Sequence, residues 1–357
     1  MASKKKIVIV GAGRSGSQLA RALSAALNLK LYSLTLISSR DYFLHQPGSL
    51  RMLTSSRGDL EKDGKVIVPY DRLFLRTDVG EFVHAEIASI VPSRGSSKGG
   101  GKVVTNSGKE YEYTILVSPR GVYGKVRSIS QRRRARRSSI LANEFAGEIR
   151  DIYLEKLVTV IHRDCRLLSD VYPDKLRLGL QKNLVKRKIR LELNNQLNDI
   201  PSFPASGVLT DEGTTVEADL FIPTRGGRPN TSFIASSLGK EALTESGYVK
   251  VNPTLQLKDY ADIFSMGDVL DWDEVKQLAK YGNHVKTVLK NVLSILEGKK
   301  AGARYKSMFE AILVSNGVEG GISYFKVLWG VRLGDRLTRN IKSDDLFVKR
   351  AAGTLGY

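Results

Sequence analysis

The chain has 357 residues, 41% of them hydrophobic, with 56 Lys and Arg against 37 Asp and Glu, giving a net charge of +19. That length supports two or three domains with their own cores, and no stretch reaches the roughly 18 apolar residues a bilayer-spanning helix needs. The single cysteine, Cys165, forms no internal disulfide, excludes a redox-active cysteine pair and fits a reducing compartment.

The start, Met-Ala-Ser-Lys-Lys-Lys, has no apolar run, so no secretory signal is expected; residue 2 is Ala rather than the Gly that myristoylation requires. Residues 7–10 are β-branched and run straight into Gly11-Ala-Gly-Arg-Ser-Gly16. The run predicts a buried parallel strand, and the glycines predict the turn of a dinucleotide-binding βαβ unit. Gly11 permits the tight turn, Gly13 lets backbone approach a pyrophosphate, and Gly16 lets helix and strand pack closely. The helix expected over Gln18 to Asn28 then aims its N-terminus at phosphates. A second strand follows at Leu34–Ile37. Such sites usually place Asp or Glu just after it to hold a ribose hydroxyl. Here Ser38, Ser39 and Arg40 stand there, with Asp41 beyond, so Ser38 or Asp41 would serve.

Phe82–Ile87 and Lys102–Thr105 predict an antiparallel meander with a turn at Ser96–Gly101, and Tyr113–Val117 a return to the parallel sheet. From Val117 to Ile140 the apolar period dissolves. Arg132, Arg133, Arg134, Arg136 and Arg137 fall in this stretch, with Arg120 and Arg127 just upstream. No aromatic side chains interleave with them to stack bases, so nucleic acid is not an expected partner. Order resumes with a helix over 141–153, a strand at Val158–Ile161, a helix at Asp174–Lys186 and a strand at Ile189–Leu193. A segment at Ala218–Pro223 closes this second unit. Ile263–Val269 leads to a long helix from Glu274 to about Glu297. The tail, 304–357, carries Ile312–Val314 and Phe325–Trp329; Tyr324 and Trp329 read as core or interface packing. Amphipathic contact with a membrane surface is the alternative reading of this tail.

Together these motifs resemble the apoptosis-inducing-factor family of flavoproteins, in its ferroptosis-suppressor-type branch, related to type II NADH dehydrogenases. The segments that carry the resemblance are Gly11–Gly16, Asp41–Pro47, Asn143–Ile149, Thr224–Thr231, Phe264–Asp268, Leu328–Gly330 and the Leu-Gly-Tyr ending. The resemblance implies an α/β fold with two nested Rossmann-like dinucleotide-binding domains of the pyridine nucleotide-disulfide oxidoreductase type, plus a small α+β C-terminal region. It implies an FAD domain over 1–116 and 236–303, an inserted, truncated NAD(P)H-binding-like domain over 141–235 and a C-terminal region over 304–357. The implied activity is electron transfer from NADH or NADPH through FAD to a quinone or other acceptor. Gly11, Gly13 and Gly16 would hold the FAD pyrophosphate, with Ser38, Arg40 and Asp41 beyond the second strand. Gly267 and Asp268 would bond the ribitol or phosphate side; a helix N-cap is the plainer reading of that pair. Gln46 and Pro47 would lie near the flavin ring. Lys276 and Gln277, opening the long helix, would line its pyrimidine edge, where a cation stabilises reduced flavin; an exposed helix charge is the alternative. Arg228, Pro229 and Asn230 read as the return turn between domains.

The second site departs from the family pattern. The helix Asn143–Ile149 should follow a strand and a second Gly-x-Gly-x-x-Gly, but Arg136–Ala142 contain neither. Without them no bare N–H cradle meets the NADH pyrophosphate. The segment 117–140 is therefore disrupted. Codons exist for residues 117–126 whose shifted frame reads Leu-Ala-Thr-Gly-Ser-Val-Trp-Glu-Gly, the missing family motif. This motivates the hypothesis of a frame shift over about 118–140, which the transcript sequence decides. The NAD(P)H-side candidates are Glu144 and the strand-end pair His162 and Arg163, which would accept the 2′-phosphate of NADPH. No metal spacing and no Ser-His-Asp arrangement is legible. The expected function is an FAD-dependent NAD(P)H oxidoreductase, cytoplasmic or peripheral on a mitochondrial or lipid-droplet membrane. The alternatives are a catalytically impaired FAD-binding protein and, third, a basic nucleic-acid or membrane binder.

Overall fold

The computed structural model describes residues 4–54, 66–76, 78–93, 99–119, 122–123, 138–197, 207–224 and 227–357. Most of the segment 117–140, including the arginine run at 132–137, lies outside the described residues.

The β-branched run forms the strand Lys5–Val10, whose Ile7, Val8, Ile9 and Val10 are at most 2% exposed. It sits at the centre of a five-stranded sheet. On one side it pairs with Tyr32–Ser38, which pairs in turn with Gly80–His84. On the other it pairs with Ile115–Ser118, which pairs with Ile263–Ser265. Every pairing is parallel, and the central runs Ile7–Val10 and Ile115–Val117 are buried on both faces, whereas the edge strand Gly80–His84 is only partly buried. Parallel pairing also brings their carboxyl ends to one edge. Val10, Ser38, Ser118 and Ser265 therefore line up where open α/β sheets bind ligands.

The helix Arg14–Ala26 follows the glycine turn and packs against the helix Tyr281–Leu296. Leu19, Ala20 and Leu23 of the first and Val288 and Val292 of the second are fully buried. An antiparallel meander of Ile87–Pro92, Gly101–Thr105 and Glu110–Tyr113 joins the same core, as does the helix Ser232–Leu238.

A second core lies around residues 146–189 and 312–322. The helix Ser138–Ile152 leads into Val158–Ile161, which pairs in parallel with Ile189–Glu192 across the helix Asp174–Lys186. Leu176, Leu180 and Leu184 recur at helical spacing and pack with Ile312, Val314 and Ile322 of the C-terminal antiparallel sheet. The C-terminal region does not gather around one core. Its strands join the second core, while Ala351, Ala352 and Leu355 close on the first. Val122–Tyr123 and Arg228–Pro229 pair antiparallel, so the two connecting segments run side by side.

Three expectations need correction. Phe82–His84 belongs to the parallel sheet rather than the meander, because the chain turns at Ala85 and Glu86 before Ile87 begins the meander. The long helix starts at Tyr281, after a single 3₁₀ turn at Leu278–Lys280, so Lys276 and Gln277 precede it instead of opening it. Trp329 is 97% exposed at a hairpin turn and is no part of a core. The turn expected at Ser96–Gly101 lies mostly outside the described residues.

Candidate functional site

The glycine turn is fixed by contacts from three directions. The Gly11 N–H donates to the Ile37 carbonyl at 2.8 Å, which ties the turn to the neighbouring strand. The Ala12 carbonyl accepts from the Ser17 hydroxyl at 2.9 Å and from the Tyr70 hydroxyl at 2.5 Å. Burial pushes the Tyr70 phenol well above its usual range, so it stays a donor. The glycines differ in what their hydrogens face. Gly11 has φ +121, a conformation that favours glycine. A Cβ on Gly16 would lie 1.9 Å from the Gly11 carbonyl oxygen, whereas a Cβ on Gly13 would meet no protein atom within 4 Å. Gly16 thus packs helix against strand, and Gly13 fronts open space.

Around this turn sit sealed polar atoms with no hydrogen-bond partner: Arg14 Nη1 and Gln18 Oε1, one helical turn apart, and Ser118 Oγ at the adjacent strand end. Burial, reinforced by Arg350, lowers the Arg14 guanidinium from its ordinary range. A cation and two neutral polar groups beside a helix N-terminus suit a phosphate-bearing ligand, since buried polar groups are otherwise paired.

Of the other expected flavin residues, Ser38 and the Gly267–Asp268 pair stand at or just beyond the carboxyl ends of sheet strands. Ser38 ends its strand, and its hydroxyl accepts from the Arg40 N–H at 3.3 Å. Arg40 and Asp41 are exposed. Gln46 and Pro47 open the helix Gln46–Thr54, with proline in the first turn where its missing N–H costs nothing. His45, just ahead, is 2% exposed and meets the Leu346 carbonyl through Nε2 at 2.8 Å. Burial lowers its pKa from the ordinary value, with Arg14 and Lys342 adding to the effect. Gly267, at φ +88, turns the chain out of the last sheet strand, and Asp268 beside it is 9% exposed. Lys276 Nζ donates to the Trp272 carbonyl at 2.9 Å, and Gln277 Nε2 donates to the Tyr172 hydroxyl at 3.0 Å.

The expected NAD(P)H-side residues do not converge in the same way. Glu144 is buried, and one carboxylate oxygen accepts from the Ser315 N–H, the Ser315 hydroxyl and Lys342 Nζ. It ties the helix to the C-terminal strand. His162 lies at its strand end with Asp164 3.7 Å away, and burial lowers its pKa. Arg163 is 50% exposed and 3.5 Å from the same aspartate. Among the described residues no group of His, Cys, Asp or Glu could hold a metal ion.

Some residues escaped the sequence reading. Ser17 and Tyr70 hold the glycine turn. Arg51 clamps Glu148, and His284 accepts the Gly267 N–H at 3.1 Å. Only Ser17 and Arg14, inside or beside the motif, carried a local signal.

This site, at the carboxyl edge of a parallel sheet and entered by a glycine turn, defines a dinucleotide-binding oxidoreductase of the Rossmann type. The pyridine nucleotide-disulphide oxidoreductase family matches residues 138–292. The chain is 34% identical over 318 residues to the FAD-dependent oxidoreductase FVFD30 of Flammulina velutipes, covering 83% of this chain and 97% of that protein. It is 26% identical to ferroptosis suppressor protein 1 of Taeniopygia guttata, over 98% of this chain and 96% of the relative. The crystal structure of the sulfide:quinone oxidoreductase from Aquifex aeolicus shares the fold, with a TM-score of 0.74 at 18% identity over 98% of this chain and 92% of that one. The chain belongs to the apoptosis-inducing-factor family of FAD-dependent oxidoreductases, in its ferroptosis-suppressor branch.

Proposed function

We propose that this chain binds FAD at the carboxyl edge of its parallel sheet and takes electrons from NADH or NADPH to a quinone-class acceptor. The observation that carries this reading is the pinned glycine turn, with open space at Gly13 and an unpartnered buried Arg14 Nη1 beside it. Gly11, Gly13, Gly16 and the helix N-terminus would hold the pyrophosphate, helped by Arg14. Ser38, with Arg40 and Asp41 beyond it, would face the adenosine ribose, and Asp268 the ribityl chain. Gln46, Pro47, Lys276 and Gln277 would border the ring. The bound flavin supplies the hydride acceptor; the chain supplies binding, orientation and exclusion of water.

Under this reading residues 1–116 and 236–303 form the FAD domain, 141–235 the inserted nucleotide domain and 304–357 a region that bridges both cores. On the nicotinamide side, Glu144 acts through the packing of its helix, while His162 and Arg163 favour the 2′-phosphate of NADPH against the opposing charge of Asp164. The quinone assignment draws on the acceptor named for the Aquifex aeolicus structure. No helix among the described residues is long and apolar enough to cross a membrane. A lipid-dissolved acceptor would then be met by peripheral contact from the cytoplasmic side.

The test is anaerobic. Purified protein should show flavin absorbance, bleach on addition of NADPH or NADH, and recover colour with a short-chain quinone. A folded preparation that takes up no added FAD ends the proposal. Bleaching without recovery by quinone ends the acceptor assignment alone.

A further inference from the structure

Behind the Gly267–Asp268 turn lies a sealed group of ionisable side chains that the reading above leaves unused. His284 sits in the first turn of the helix Tyr281–Leu296 and is 1% exposed. Its Nδ1 accepts the Gly267 N–H at 3.1 Å. An accepting Nδ1 places the ring proton of neutral His284 on Nε2. That nitrogen faces Glu274 Oε1 at 3.3 Å, a long contact between side chains that are 2% and 1% exposed. The Tyr305 hydroxyl donates to the other Glu274 oxygen at 2.7 Å. Lys280 Nζ stands 3.8 Å from Glu274 and donates to Glu310 at 2.5 Å. The imidazole is held between two rings, Tyr281 stacked at 6.2 Å and Tyr305 edge-on at 4.4 Å.

This arrangement is a poor way to gain stability. Buried charged groups give little net gain over apolar packing of the same volume. Satisfying one backbone N–H needs only a single acceptor. The series Tyr305–Glu274–His284 instead reaches the main chain at Gly267. There Gly267, at a left-handed φ of +88, has no side chain of its own to limit the turn. His284 supplies that steering, and the Glu274 carboxylate, 3.3 Å from Nε2 without a formed hydrogen bond, attracts that edge of the imidazole.

We propose that Glu274 and His284 are positioning residues for the flavin site. By holding the Gly267 N–H inward they present Asp268 at the carboxyl edge, and so set the affinity and reduction potential of the bound flavin. The inference rests on the reading that the Gly267–Asp268 turn contacts flavin.

The test compares three variants of the full chain loaded with FAD. His284→Leu keeps bulk but removes the acceptor; it should weaken FAD binding about tenfold, as expected for a buried donor left without its partner. It should also shift the flavin midpoint potential. His284→Asn places an amide oxygen close to the Nδ1 position and should restore both properties toward the starting protein. Glu274→Gln keeps the shape and should shift the potential with less effect on affinity. A purely structural role would lower the melting temperature of these variants while the flavin of the folded fraction kept its affinity and potential; that result overturns the proposal. If His284→Leu does not fold, Glu274→Gln decides, and an unchanged potential overturns it equally. Failure of the starting protein to bind FAD would instead overturn the underlying site assignment, which the titration of unmodified protein reads first.

Discussion

Replacing Arg51 with Met should destabilise the protein by about 3–5 kcal/mol, the range for breaking a buried ion pair from one side. The structure shows why so much hangs on one guanidinium. Arg51 Nε and Nη2 grip Glu148 in a two-pronged pair at 2.8 and 2.9 Å. Nη2 also donates to the Ser343 carbonyl and Nη1 to the Asp344 carbonyl, both at 2.6 Å. Three chain segments therefore meet on one side chain: the helix Gln46–Thr54, the helix Ser138–Ile152 and the C-terminal stretch. The Glu148 side chain is 2% exposed, so without Arg51 its charge would be left buried and unpaired. Methionine fills most of the vacated volume, which keeps the cavity contribution small. Removing both partners, as Arg51→Met with Glu148→Leu, eliminates the stranded charge. Only the two carbonyls then lose donors, and solvent reaches the Asp344 contact, so the double variant should lose about 1–2 kcal/mol. The coupling between the two sites should therefore exceed about 1 kcal/mol. Urea unfolding followed by circular dichroism reads this, provided the slope of the transition is unchanged. If the double variant were as unstable as Arg51→Met, the stranded carboxylate would not be the cause and the reasoning would be wrong.

Three further outcomes are expected. Gly13→Ala should fold with an unchanged melting temperature yet lose FAD, because its Cβ enters open space rather than protein, whereas Gly16→Ala should lose both as its Cβ collides with the Gly11 carbonyl; equal flavin titres for Gly13→Ala and the parent would contradict this. Tyr70→Phe should cost about 1 kcal/mol in urea unfolding and loosen FAD binding, since the Ala12 carbonyl keeps only its bond from Ser17; unaltered stability and affinity would show that the hydroxyl does not brace the turn. His45, held below its ordinary pKa chiefly by burial, binds fewer protons folded than unfolded, so its contribution is complete above about pH 6.5 and is lost as pH falls through the lower folded value; His45→Asn should flatten that acid limb of the stability profile, and an identical limb would refute the assignment.

Features set by neighbouring residues are legible in this chain, and features set by distant ones are not. The strand Lys5–Val10 and its turn were legible because β-branched residues and glycines act on their own backbone. The helix at Asp174–Lys186 was legible because Leu176, Leu180 and Leu184 repeat at helical spacing. At Phe82–His84 the alternation shows a half-buried strand but not which neighbour it meets, and the strand joins the parallel sheet rather than the meander. The sequence predicts the long helix from Glu274 because Glu274 to Lys280 is compatible with helix by composition. There the side chains of Glu274 and Lys280 turn into a buried cluster instead. By residue type Trp329 suits core or interface packing, and the hairpin turn excludes the core by leaving it exposed.

The sequence by itself determined the dinucleotide turn, the order of its elements and the family, because these depend on contiguous residues and local backbone preference. The tertiary structure decided what braces that turn and what joins the two cores. Tyr70 reaches Ala12 across 58 residues, Arg51 reaches Glu148 across 97, and His45 reaches Leu346 across 301. Such pairs carry no periodic signal. They exist only once the parallel sheet has drawn its carboxyl ends to one edge and the C-terminal segments have closed over both cores.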